Sequence, residues 1–161
     1  MDDLAGQFPA NALEQRVDWF RETALPEVRA LLEKLLGEYT LYRAADREGA
    51  DLFDAVLSRN FDFLATPSSS SYCIDFYSGP APLFRPCFCL RPTTAARFDI
   101  QLTFDLFEFP EPPPVDRLLE KLQSLATLLG AKHWSIHHET NRHWQTGDFS
   151  AATLIYEKRE E

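Results

Sequence analysis

The run Phe98-Asp99-Ile100-Gln101-Leu102-Thr103-Phe104-Asp105-Leu106 alternates apolar and polar residues without a break. Successive side chains of an extended chain point to opposite faces. Phe98, Ile100, Leu102, Phe104 and Leu106 therefore share one face, and Asp99, Gln101, Thr103 and Asp105 share the other. This predicts the central strand of a sheet with one buried side and one wet side.

The neighbouring sequence supplies more strands. Tyr72, Ile74 and Phe76 alternate with Cys73, Asp75 and Tyr77, and Phe84, Phe88 and Leu90 alternate with Arg85, Cys87, Cys89 and Arg91. Ser78 to Pro82 and Pro92 to Ala96 read as turns. Pro86 has no amide proton to give a ladder, so its strand is expected at an edge or bulged. Beyond Pro112-Pro113-Pro114, the residues Val115, Leu118, Leu119, Leu122, Leu125, Ala126 and Leu129 recur at helical spacing, with Gly130 as the stop. Burying such a stripe is worth roughly 10–15 kcal/mol gross, whereas ordering about fifteen residues costs roughly 15–30 kcal/mol. That helix must lie on something already ordered, and the apolar face of 98–106 is the natural partner. His133 to Glu139 and Thr153 to Glu157 read as closing strands, with a frayed tail over 158–161.

Towards the N-terminus, 11–36 reads as helix in two pieces, broken at Pro26. Leu13, Val17 and Phe20 share a face of the first piece; Val28, Leu31, Leu32 and Leu35 share a face of the second, which Gly37 is placed to end. Tyr39 to Arg43 is a short strand, and Glu48 to Ser58 is again helical. The expected organisation is a single globular domain over 1–161, with an N-terminal helical part over 10–58 and a sheet–helix–sheet part over 70–158. The fold class is α+β: a two-layer sandwich in which a mixed, mostly antiparallel sheet carries helices on one face.

The chain has 161 residues, 45% hydrophobic and 13% aromatic, enough to bury one core. Its formal charge of −9 argues against nucleic acid as a partner, because phosphates require Lys and Arg to displace their counterions. The same charge suits a basic protein partner. No apolar run is long enough to span a membrane. Met1-Asp2-Asp3-Leu4-Ala5-Gly6 offers neither the basic nor the apolar part of a secretory signal, and three cysteines leave one unpaired in any disulfide scheme. A reducing cytoplasm is expected.

Sequence patterns for chemistry are sparse. His133, His137 and His143 form the only group of candidate metal ligands, and a small metal-dependent hydrolase would use them. On a strand, however, His133 and His137 sit roughly 13 Å apart at about 3.3 Å per residue, too far to share one ion. Solvent-facing or hydrogen-bonded histidines are the preferred reading, and no metal or cofactor is assigned. Cys87 and Cys89 are spaced C-x-C rather than C-x-x-C, and with Cys73 they read as small buried hydrophobes. Asp99 and Asp105 lie about 20 Å apart along the strand, beyond the reach of a paired acid and base. No Gly-rich phosphate loop or G-x-S-x-G elbow occurs. The chain is read as having no enzymatic activity.

The order of strands and turns has one parallel. Tyr72-Cys73-Ile74-Asp75-Phe76-Tyr77-Ser78-Gly79, then Phe84 to Leu90, then a strand ending Phe107-Glu108-Phe109-Pro110 are followed by Leu118-Leu119-Glu120-Lys121-Leu122 and Lys132-His133-Trp134-Ser135-Ile136. Over residues 70–140 this resembles the immunity proteins of bacterial polymorphic-toxin and interbacterial competition systems, notably the immunity protein 52 type. The resemblance implies a cytoplasmic, non-catalytic protein that binds a cognate toxin and blocks it. Interface anchors are usually Trp, Tyr and Arg, so Tyr77, Arg142 and Trp144 are the candidates, beside Asp75, Asp99, Gln101 and Asp105 on the polar sheet face. Acidic side chains there would imitate phosphate towards a basic nuclease cleft. An adaptor or chaperone for a secreted effector is the alternative, and a homodimer joined at a strand edge is a further one.

Overall fold

The computed structural model describes residues 15–65, 71–77, 84–94, 96–105, 115–138 and 154–159. In chain order these form β1 (Gln15–Ala24), α1 (Leu25–Glu38), β2 (Thr40–Asp46), α2 (Phe53–Leu57), a 3-10 turn (Asp62–Ala65), β3 (Tyr72–Tyr77), β4 (Phe84–Thr94), β5 (Arg97–Asp105), α3 (Val115–Leu129), β6 (His133–His138) and β7 (Leu154–Arg159). The described strands make one seven-stranded sheet in the order β2-β3-β4-β5-β1-β6-β7. The class is α+β, as expected, and every pairing among these strands is antiparallel.

The alternating run does lie at the centre. β5 is the fourth of the seven strands, and Phe98, Ile100, Leu102 and Phe104 are all buried. Tyr72, Ile74 and Phe76 of β3, Phe88 and Leu90 of β4, and Trp134 and Ile136 of β6 join them in one core cluster. Above that face lie α1, through Val28, Leu31, Leu32 and Leu35, and α3, through Leu118, Leu122, Leu125, Ala126 and Leu129. The two helices pack on each other and on the sheet, and Lys121 of α3 reaches Glu38 of α1 at 2.5 Å. Gly130 ends α3 at φ +64°, with Ala131 N–H donating to Ala126 C=O at 2.9 Å. That bond closes a left-handed cap which glycine forms without steric cost.

The expected N-terminal helical part, 10–58, is corrected at its start: Gln15–Ala24 is a strand, lodged between β5 and β6. The reason is visible in the register. Val17, Phe20 and Thr23 oppose Leu102, Ile100 and Phe98, with a shift after Val17 and another after Phe20. Each bulge inserts an extra residue and turns a period of two into a step of three, the step a helix face also shows. The second helical piece is as expected. α1 starts with Pro26 in its first turn, where a missing amide is harmless. Gly37 does not stop it; the helix runs on to Glu38, and Tyr39 N–H closes it on Leu35 C=O at 2.8 Å. The region 48–58 holds only the short α2, and β7 continues through Lys158 to Arg159 where a frayed tail was expected.

Pro86 is accommodated by the bulge, not by an edge. β4 lies between β3 and β5, and its register with β5 shifts between Phe84 and Cys87. Within that shift Arg85 takes φ +49°, a left-handed conformation seldom adopted by residues other than glycine, asparagine and aspartate.

Candidate functional site

The face of the sheet turned away from the helices carries the polar half of each alternation. Register fixes which side chains stand abreast. Arg43 opposes Asp75, Asp75 opposes Cys87, and Cys87 opposes Thr103, making one row across β2, β3, β4 and β5. A second row runs Cys73, Cys89, Gln101, and Arg91 opposes Asp99 further along. The expected wet face is only half wet. Asp75, Asp99, Gln101, Thr103 and the three cysteines are partly buried, whereas Arg43, Tyr77, Arg85 and Arg91 are exposed.

Asp75 is the electrostatic centre of the first row. Its Oδ1 is buried and has no hydrogen-bond partner, an arrangement that costs desolvation energy unless a donor arrives. The adjacent Cys87 thiol is pushed well up, first by burial and then by the charge of Asp75. Across the other row, Cys73 Sγ lies 3.5 Å from Cys89 Sγ. The cysteines, expected from sequence to be small buried hydrophobes, are partly buried. They fall on the polar parity of β3 and β4, and Cys73 and Cys89 meet because their strands pair in that register.

One corner of this face is aromatic. Tyr77 is 47% exposed and Tyr42 68% exposed, their ring centres 6.1 Å apart. The Arg85 guanidinium lies 5.7 Å from the centre of the Tyr77 ring, within cation–π range. The β4 bulge is what re-aims Arg85, since residues displaced by a bulge leave the regular alternation. Tyr42 and Arg85 were not singled out from sequence. The signal for Arg85 was Pro86, which demanded an irregularity beside it.

Among the described residues, the remaining sequence candidates are not gathered into one place. Asp105 ends β5 opposite Phe84. Arg142, Trp144 and His143 lie outside the described residues. His133 Nε2 is 3.0 Å from Glu157 Oε1, and the same oxygen accepts from Arg159 Nε at 2.5 Å. The Arg159 bond, together with His133, holds the Glu157 carboxyl below its ordinary range. His137 is buried and pairs with Ser135 Oγ at 3.1 Å. The two histidines therefore have separate partners, and among the described residues no three His, Cys, Asp or Glu side chains are grouped to hold a metal. A shallow groove of about 550 Å³ beside α3 is lined by Leu119, Gln123, Trp134 and Tyr156, with Glu120 and Lys158 as its charges among the described residues.

No protein-family model matches the chain, and no curated protein matches its sequence. Its fold matches a chain in the crystal structure of the toxic C-terminal tip of CdiA from Pseudomonas aeruginosa in complex with immune protein. The TM-score is 0.54 at 10% identity, and the match covers 93% of this chain and 97% of that one. The two share a fold. No helix among the described residues is long and apolar enough to cross a membrane.

Proposed function

We propose that this chain is an immunity protein that neutralises a cognate secreted toxin by binding it, without catalysis, in the cytoplasm of the cell that makes both. The observation that carries the reading is the likeness over nearly the whole chain to a fold found in a toxin–immune protein complex. The polar sheet face is the proposed docking surface. Tyr42, Tyr77 and Arg85 have the composition of interface anchors. The formal charge of −9 suits a basic partner. Asp99 and Gln101 extend the surface along β5, and Asp105, Arg142 and Trp144 are proposed as further contacts with the toxin.

Expression in a bacterial host tests this directly. The chain alone should be harmless. Co-expressed with the toxin domain encoded beside it, it should restore growth and co-purify as a one-to-one complex. Growth arrest by this chain on its own would instead mark it as the toxic member of such a pair. Failure to protect would refute the neutralising role.

A further inference from the structure

Outside any role in docking, the sheet carries a pair of thiols placed for chemistry. Cys73 and Cys89 are directly opposed in the antiparallel β3–β4 ladder, and their sulfurs are 3.5 Å apart. Opposed residues in such a ladder have Cα atoms about 4.5–5.5 Å apart, inside the range of about 4.4–6.8 Å that a disulfide spans. A bond needs the sulfurs at about 2.05 Å, so side-chain rotation must close about 1.5 Å. Both cysteines are reduced and partly exposed. Cys87 is set apart, because Asp75 and Thr103 oppose it instead of a thiol.

We propose that Cys73 and Cys89 form a thiol–disulfide exchange site that a low-molecular-weight disulfide oxidises to a cross-strand bond. The Cys73 thiolate attacks one sulfur of the reagent, forming a mixed disulfide and expelling one reagent thiolate. Cys89 gives up its proton and attacks the Cys73 sulfur, and the second reagent thiolate leaves. The pair loses two electrons, the reagent gains them, and the two cysteine protons end on the released thiols.

The surroundings favour Cys73 as the first nucleophile. Either sulfur can donate across the 3.5 Å contact; with Cys89 as the donor, and Arg43 adding positive charge, the Cys73 pKa falls to about 7 against the opposing effects of burial and Asp75. Its partner is held up by that same hydrogen bond and by burial. A thiol titrating near the ambient pH is the most effective attacking group, and partial exposure gives a reagent access.

The test uses the full reduced chain with oxidised glutathione at pH 7.5. Acid quenching, then maleimide labelling of the unfolded protein with its disulfides intact, and peptide mapping follow the thiols. The expected result is loss of two of the three labelled thiols, a Cys73–Cys89 linked peptide, and Cys87 still free. Cys87→Ser should form the same link, and Cys89→Ser should stop at a stable glutathione adduct on Cys73. A link through Cys87, a lasting adduct in the unaltered chain, or three thiols that stay free would each overturn the proposal.

Discussion

Tyr77 shows how much a single residue's role depends on what the neighbouring strand sets beside it. Its own strand gives it half-exposure, but Tyr42 from β2 and Arg85 from β4 make it part of a surface. It lies outside the core, so Tyr77→Ala should cost only about 1 kcal/mol of unfolding free energy, the worth of its ring and cation–π contacts. In the proposed complex it should weaken toxin binding by about 2 kcal/mol, roughly 30-fold. Chemical denaturation and titration calorimetry separate the two effects. Phe104→Ala should do the reverse, costing about 3–5 kcal/mol of stability because it empties a site that is 1% exposed. Alternation along one strand was enough to place Tyr77, Asp75 and Gln101 on the polar face. It was not enough to pair Cys73 with Cys89 or Arg43 with Asp75, because register belongs to two strands at once. Nor could it place Arg85, since parity fails across a bulge.

At the level of elements, α1 and α3 were legible because uninterrupted helical periodicity has no competing explanation. β1 was not, because its two bulges spaced Val17, Phe20 and Thr23 as a helix would. Two glycines give a contrast that checks the helix ends. Gly130 has φ +64° and room for a Cβ, so Gly130→Ala should cost about 1 kcal/mol from backbone conformation alone. Gly37 lies inside α1 with equally open space, so Gly37→Ala should stabilise by about 0.5–1 kcal/mol. Thermal melts of both variants read this out. The α1–α3 contact is held partly by Glu38. Burial raises its carboxyl pKa, but hydrogen bonds from Lys121 and Lys34, with their charges, outweigh that and leave it below the ordinary value. A folded pKa below the unfolded one contributes stability above the unfolded pKa, and that contribution is lost as pH falls through the folded one. Lys121→Met should therefore destabilise by up to about 1 kcal/mol at pH 7. Urea titrations should show the gap from the unaltered chain narrowing as the solution is made more acidic than the Glu38 folded pKa.

For the molecule as a whole, charge and topology make separate statements. In the proposed role, a chain with a formal charge of −9 should meet a basic toxin faster at low salt than at high. Raising ionic strength from about 0.05 to 0.5 M should lower the association rate by tenfold or more, with little change in dissociation, as stopped-flow mixing would show. Topology concerns the protein's own making. β1 pairs with β5 through Gln15 and Phe104, and with β6 through Gln15 and His138. On the ribosome it therefore emerges long before either neighbour exists, and its open edges are free to take wrong partners in the meantime. Nascent chains halted at residue 114 would contain five strands yet lack α3 and β6. They should be cut by protease as readily as unstructured polypeptide. In the proposed role, protection therefore waits until the ribosome has passed β6.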